Sequence, residues 1–299
     1  MIFLRRLLIL LSLLCCRLVV AEPLQVTASF SVLADVAREI GGERVLVHEI
    51  VHSNQDMHVY RITPQDLRQV RSSKLVLLNG QGFEPAEFVR SIQAAKVPFV
   101  EAVQGINLMD NHDEHEHEHN DKHEHSHGDK DPHVWQDPVL MQKYAENIAN
   151  ALISVDAASS DYYKKRLADY QKQLKELDAW ATKEIATIPL AKRKVLTAHD
   201  AFGYLGEHYQ IRFIAPQGVS EDSEPSAKQV ANIIRQIKQE NIRAVFIENI
   251  NNPRLVRQLS RETGVDISGK LYSDALPENS SYISMMKHNI SELVKAMKQ

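Results

Sequence analysis

The chain has 299 residues, 43% of them apolar and 25% charged, and a formal net charge of −4. That composition belongs to an ordinary globular protein with one large core or two smaller ones, and it excludes a chain disordered throughout. With 35 basic residues against 39 acidic ones and no basic face, the balance also excludes a nucleic-acid binder held by phosphate neutralisation.

The first residues, MIFLRRLLILLSLLCCRLVVAEP, carry a short basic region at Arg5 and Arg6, an apolar stretch, and small residues Val19 and Ala21 before Glu22. This is the pattern of a cleaved secretory signal over residues 1–21, which directs the mature chain to the periplasm. Arg17 leaves the apolar run too short for a spanning helix, the competing reading. Cys15 and Cys16 are the only cysteines and lie inside this segment, without the preceding small residues that lipoprotein processing prefers. The mature chain then has neither disulfides nor thiolate ligands.

Next, LQVTASF reads as a strand and SVLADVAREIGG as a helix with Ser31 as its N-cap and Gly41 just past its end. The alternation continues through the strand RVLVHEIV, a helix capped by Thr63 with Pro64 and Asp66 in its first turn, and the buried strand KLVLLN. Strands alternating with helices imply a largely parallel sheet.

Residues 110–131 form a different region, with nine acids, two lysines and seven histidines: His112, His115, His117, His119, His123, His125 and His127. The local charge of −7 exceeds that of the whole chain, and almost nothing there is apolar, so the segment is expected to stay disordered without metal. Its imidazoles are candidates for weak, secondary capture of cations; a solvated loop with incidental affinity is the plainer alternative.

Beyond it, Ala145, Ile148, Ala149 and Leu152 make a helical stripe, and Tyr163, Leu167, Tyr170, Leu174, Leu177 and Ile185 predict one long helix. A second α/β series follows: KVLTAH, IRFIA, a helix carrying Val230, Ile233, Ile234 and Ile237, RAVFIE, and a helix opened by Pro253 and closed near Gly264. The expected architecture is α/β, with two lobes of parallel sheet joined by a long rigid connector helix and a ligand cleft between them. Its boundaries are 22–158 for the N-terminal lobe, 159–188 for the connector and 189–299 for the C-terminal lobe. A helical connector predicts limited closure rather than a wide hinge.

Three histidines outside the dense run stand at element edges: His58 in DMHVYRITPQD, His133 in DPHVWQDP and His199 in TAHDAFGYL. His199 follows a strand, where open α/β sheets build ligand sites, and Glu248 ends another strand as a candidate to orient a histidine. Taken singly, each of the three is more often a satisfied polar residue than a ligand, and their separations match no local zinc pattern. His48, His52, His208 and His288 have no companion motif and receive no role.

Taken together, MHVYRITPQDL, DPHVWQDP, TAHDAFGYL, GVSEDSEPSAKQVANIIRQI, AVFIENINNP and YSDAL resemble the cluster A-I metal-binding subunits of ABC importers, specifically the periplasmic zinc-binding proteins. The resemblance covers nearly the whole mature chain. It implies four ligands from two lobes, at His58, His133, His199 and Asp274, with zinc as the transported ion and a membrane ABC permease as the partner of a monomer. In manganese-type relatives the third position resembles a glutamate; here it is His199. The chain departs from the family at DMH, where many relatives have Asp-Pro-His, and around the aspartate of YSDAL, which leaves a water or a loop acid as the alternative fourth ligand. The separation from His58 to His133 equals that from His199 to Asp274, at 75 residues, which invites a reading of duplicated lobes, but the first interval contains the histidine-rich insertion, so the equality is partly accidental.

Three imidazoles and one carboxylate suit tetrahedral zinc and disfavour magnesium and calcium. The expected function is non-enzymatic capture and delivery of zinc. The rivals are a periplasmic zinc buffer or metallochaperone centred on the loop, the same fold carrying manganese, and a zinc hydrolase; the last lacks an H-E-x-x-H motif.

Overall fold

The computed structural model describes residues 22–110, 130–218, 226–250 and 252–299. The N-terminal segment and the histidine-rich run lie outside the described residues, so the readings made for them rest on sequence alone. Among the described residues no helix is long and apolar enough to cross a membrane.

The first sheet contains β1 (Leu24–Phe30), β2 (Val45–Val51), β3 (Leu75–Leu78) and β4 (Phe99–Glu101). All its pairings are parallel and the order is β2-β1-β3-β4. Residues 26–30 of β1 and all of β3 are buried, as expected of strands covered on both faces. The helices of this lobe are α1 (Ser31–Gly41), α2 (Pro64–Ser72), α3 (Ala86–Ala95) and α4 (Pro138–Val155). Thr63 caps α2 in a full capping box with Asp66.

The long helix α5 (Ser160–Ala186) buries Tyr163, Tyr170, Leu174, Leu177, Ala181 and Ile185. Its stripe packs against α1, α4 and the C-terminal helix, so it is a shared wall of both lobes as well as a connector.

The second sheet contains β5 (Lys194–Leu196), β6 (Arg212–Ile214), β7 (Ala244–Glu248) and β8 (Gly269–Leu271), parallel in the order β6-β5-β7-β8. Its helices are α6 (Gly203–Tyr209), α7 (Ala227–Gln239), α8 (Arg254–Thr263) and α9 (Tyr282–Met297). The two sheets therefore repeat one topology, and in each the order reverses beside its first strand, the switch point at which open α/β sheets take ligands.

Several local expectations are corrected. Phe30, in extended conformation, is the N-cap of α1, while Ser31 is its first helical residue. The Ser31 hydroxyl instead accepts the Leu276 N–H from the other lobe at 2.9 Å. Gly41 is the last helical residue and Gly42, at φ 51°, ends the helix; a Cβ on Gly42 would collide with the Tyr162 hydroxyl. The strand read from KVLTAH stops at Leu196, and His199 beyond it forms an isolated bridge to Gln217. Asp131, assigned to the acidic loop, is 5% exposed and part of the folded lobe.

The equal ligand spacings do not reflect duplication. His133 and Asp274 follow the equivalent strands β4 and β8, but His58 follows β2 whereas His199 follows β5, the counterpart of β1.

The apolar core crosses the lobe boundary. One cluster runs from β1, α1 and α4 through α5 into Phe202, Leu205, Phe246, Leu271, Tyr282 and Met286. A smaller one, around Leu196, Ala198, Val245 and Leu259, lies between the second sheet and α7 and α8. Polar bonds reinforce the junction: the Tyr282 N–H donates to Asp35 at 2.8 Å and the Tyr282 hydroxyl to the Trp135 carbonyl at 2.7 Å. Burial, the main influence on Asp35, raises its carboxyl to about 6.

His208 also has a place here, contrary to the sequence reading. Its Nδ1 lies 2.8 Å from Asp137, the N-cap of α4, and its Nε2 lies 3.2 Å from Asp178 on α5. The hydrogen bond to Asp137 is the leading cause of its raised pKa.

A continuous core predicts that the lobes do not swing apart. Solution scattering of metal-free and metal-loaded protein should give nearly superimposable curves; a large change in radius of gyration would contradict this. Replacing Thr63 by Ala should cost about 1 kcal/mol in denaturant unfolding through loss of the α2 cap.

Candidate metal site

His58, His133, His199 and Asp274 each offer one ligand atom, and these atoms all lie within 4.8 Å of one another. No other group of this kind occurs among the described residues. The three Nε2 atoms ring the Asp274 carboxylate: His58 at 3.1 Å and His199 at 3.3 Å from Oδ2, and His133 at 3.4 Å from Oδ1. The ring centroids stand 5.6–6.3 Å apart, so the rings converge through their Nε2 edges without stacking.

Each side chain is placed by a loop leaving the carboxyl end of a sheet. His58 lies between β2 and α2, and its N–H donates to Asp56 at 2.8 Å. His133 precedes a short 3-10 turn, Val134–Gln136, which leads to the Asp137 cap of α4. His199 lies between β5 and α6, and Asp274 between β8 and α9.

Two carboxylates hold the imidazoles from behind. Asp131 Oδ1 accepts the His133 N–H at 2.9 Å and faces His133 Nδ1 at 2.7 Å. Glu248 Oε1 accepts the N–H groups of Ala198 and His199, and its Oε2 stands 2.6 Å from His199 Nδ1. Each contact orients its ring with Nε2 directed at the cluster. Glu248 was legible as a strand-end acid; Asp131 was hidden among the loop acids, although an Asp two residues before a candidate ligand is itself a signal.

The fourth side chain is set largely by the other lobe. The Ser273 carbonyl accepts hydrogen bonds from Trp135 Nε1 at 2.9 Å and Gln136 Nε2 at 2.8 Å. On its own side, Asn289 pairs with both the N–H and the carbonyl of Tyr272. An aromatic wall of Phe30, Phe83 and Trp135 backs the N-terminal histidines, with the Phe83 ring 5.0 Å edge-on to His58.

His133 and His199 are fully buried, Asp274 is 1% exposed, and the His58 side chain is 5% exposed. Without metal this arrangement favours protons on His133 and His199. Burial alone would lower His133, but Asp274 and Asp131 raise it to about 9, and Glu248 and Asp274 raise His199 well above its ordinary value. Burial likewise works to raise Asp274, yet the two imidazoles hold it well below the usual carboxylate range.

The atoms fit a small cation. His133 Nε2 and Asp274 Oδ1 are buried without a hydrogen-bond partner. In a tetrahedron with metal–ligand bonds of roughly 2.0–2.1 Å the ligand atoms stand roughly 3.3–3.4 Å apart; the imidazole contacts with the two Asp274 oxygens lie near that, and the four ligand atoms lie within 4.8 Å of one another.

Fold and cluster define the class, a two-lobed, metal-binding solute-binding protein. The family described as "ZnuA: Zinc-uptake complex component A periplasmic" matches residues 26–296, and the chain belongs to it. Among curated relatives, the manganese-binding lipoprotein MntA of Halalkalibacterium halodurans is 30% identical over 284 residues, covering 93% of this chain and 90% of that protein. MntA of Bacillus subtilis is likewise 30% identical, over 290 residues, with 93% and 90% covered. Among solved structures, the periplasmic zinc-binding protein TroA from Treponema pallidum is similar with a TM-score of 0.83, at 27% identity, covering 93% of this chain and 99% of that one. The chain is thus a metal-binding subunit of an ABC importer.

Two outcomes are expected. In the metal-free protein, His133 gains stability from its raised pKa below its unfolded value, and this is lost as pH rises through about 9. The melting temperature of metal-free protein should therefore fall between about pH 6.5 and 9, while metal binding tightens over the same window because the metal displaces protons. Glu248→Gln should weaken metal binding about 10–100-fold in a chelator competition.

Proposed function

We propose that this protein captures Zn2+ with His58, His133, His199 and Asp274 and delivers it to the permease of an ABC importer. The observation that carries the reading is the convergence of three imidazole nitrogens on one carboxylate, all within 4.8 Å. Nitrogen-rich sets of four suit zinc, a borderline acid without geometric preference of its own. The description of the matching family, a zinc-uptake component, points the same way.

The competing cargo is manganese, carried by the relatives named as manganese-binding lipoproteins. Both Asp274 oxygens face imidazole nitrogens, so the carboxylate has a second oxygen to offer a harder ion. Three nitrogens against one carboxylate still favour zinc. Competition titrations on the parent and on His199→Glu decide: the parent should prefer zinc and the variant should move toward manganese, and an unchanged ranking would refute the role given to the third nitrogen.

The mature protein acts as a monomer outside the cytoplasmic membrane after loss of residues 1–21. Its lobes comprise residues 22–158 and 189–299, with 159–188 as connector. It binds and releases its ion without making or breaking covalent bonds. The histidines from His112 to His127 add weak secondary capture.

Deleting Asp113 to Gly128 separates importer subunit from buffer. Metal analysis and calorimetric titration should find one tight zinc site retained in the deletion variant. A buffer centred on the loop would lose nearly all binding.

A further inference from the structure

The buried acid Glu84 takes no part in the site described so far. It is 2% exposed, yet no lysine or arginine is paired with it among the described residues. Its carboxylate gathers three donors: the Ser29 hydroxyl at 2.7 Å and the Asn79 N–H at 2.6 Å on Oε1, and the Gly80 N–H at 3.0 Å on Oε2. Burial raises its pKa and these donors oppose the rise.

These bonds close the turn from Asn79 to Glu84 at the carboxyl ends of β1 and β3, the switch point of the first sheet. Gly80, Gln81 and Gly82 all have positive φ, at 93°, 54° and 78°. Three such residues in succession, one not glycine, form a conformation that needs fixing from outside.

The turn touches both N-terminal histidine segments. Asn79 Nδ2 donates to the carbonyl of Pro132, the residue before His133, at 3.1 Å, while Tyr144 donates to Asn79 Oδ1 at 3.1 Å. Phe83 sets its ring against His58 at 5.0 Å and His133 at 6.0 Å. The C-terminal lobe offers a looser parallel: Glu248, at the end of β7, accepts two successive backbone amides, those after β5, and faces His199.

We infer that Glu84 is a positioning residue for metal binding, holding the Asn79–Glu84 turn so that Asn79 and Phe83 fix His133 and His58. It does in the N-terminal lobe, one turn removed, what Glu248 does in contact with its histidine. The inference rests on the assignment of His58 and His133 as ligands.

The test measures zinc dissociation constants by chelator competition, and melting temperatures with and without zinc, for Glu84→Gln, Asn79→Ala and the double variant. His133→Ala is the reference. In Glu84→Gln an amide replaces one carboxylate oxygen, so at least one of the backbone or hydroxyl donors loses its acceptor. Each single variant should weaken zinc binding about 10-fold or more. The double variant should be no weaker than the worse single one, because both act through one turn. The rise in melting temperature caused by zinc should shrink.

If metal-free and loaded forms melt lower by equal amounts with affinity unchanged, Glu84 serves only the fold and the inference fails. Should Glu84→Gln not fold, Asn79→Ala, which leaves the three bonds of Glu84 in place, decides alone: unchanged affinity overturns the proposal. If His133→Ala binds zinc as tightly as the parent, the ligand assignment falls and this inference with it. If His133→Ala loses binding while the turn variants do not, only this inference falls.

Discussion

The Ser273 carbonyl, shared by Trp135 and Gln136, is the contact on which the rest of the site depends. The second sheet supplies Asp274, but the first lobe decides where its carboxylate stands. Leu276 and Tyr282 extend the attachment through Ser31 and Asp35, so the segment carrying the fourth side chain is bonded to the opposite lobe at several points. Side chains far apart in sequence can hold one ion only if the lobes are mutually fixed to within a fraction of an ångström. The continuous core along α5 supplies that rigidity.

Charge is arranged in layers around the cluster. Asp274 lies inside the ring of imidazoles, and Asp131 and Glu248 lie behind two of them. Such a set holds positive charge in any form. Without metal the neighbouring carboxylates favour protons on His133 and His199, and a divalent ion would compete with those protons for the same nitrogens. Because the surroundings are buried, neither the anions nor the imidazoles can be compensated by water, which makes exchange between proton and metal the natural chemistry of the cleft.

Selectivity has a different origin from affinity. The buried anions attract any divalent ion, whereas in the proposed site His199 in place of an acid would set how many nitrogen donors meet it. The fold itself is shared with relatives named for manganese as well as zinc, so the lobes alone do not set a preference.

Much of this was written in the sequence. Parallel-sheet strands read as apolar runs because both faces are covered, Thr63 with Asp66 announced a helix start, and the long stripe from Tyr163 to Ile185 foretold α5 through its period alone. These signals are local, since they depend on neighbours within one or two turns. Motif resemblance selected His58, His133, His199 and Asp274, and the fold places them together. What the chain order could not reveal were the partners made by folding: Ser31 turned from cap to interlobe acceptor, Asp131 from loop acid to support of His133, and His208 from bystander to link between α4 and α5. Hydrogen bonds between distant segments leave no periodicity, so only the packing of one lobe on the other decided them.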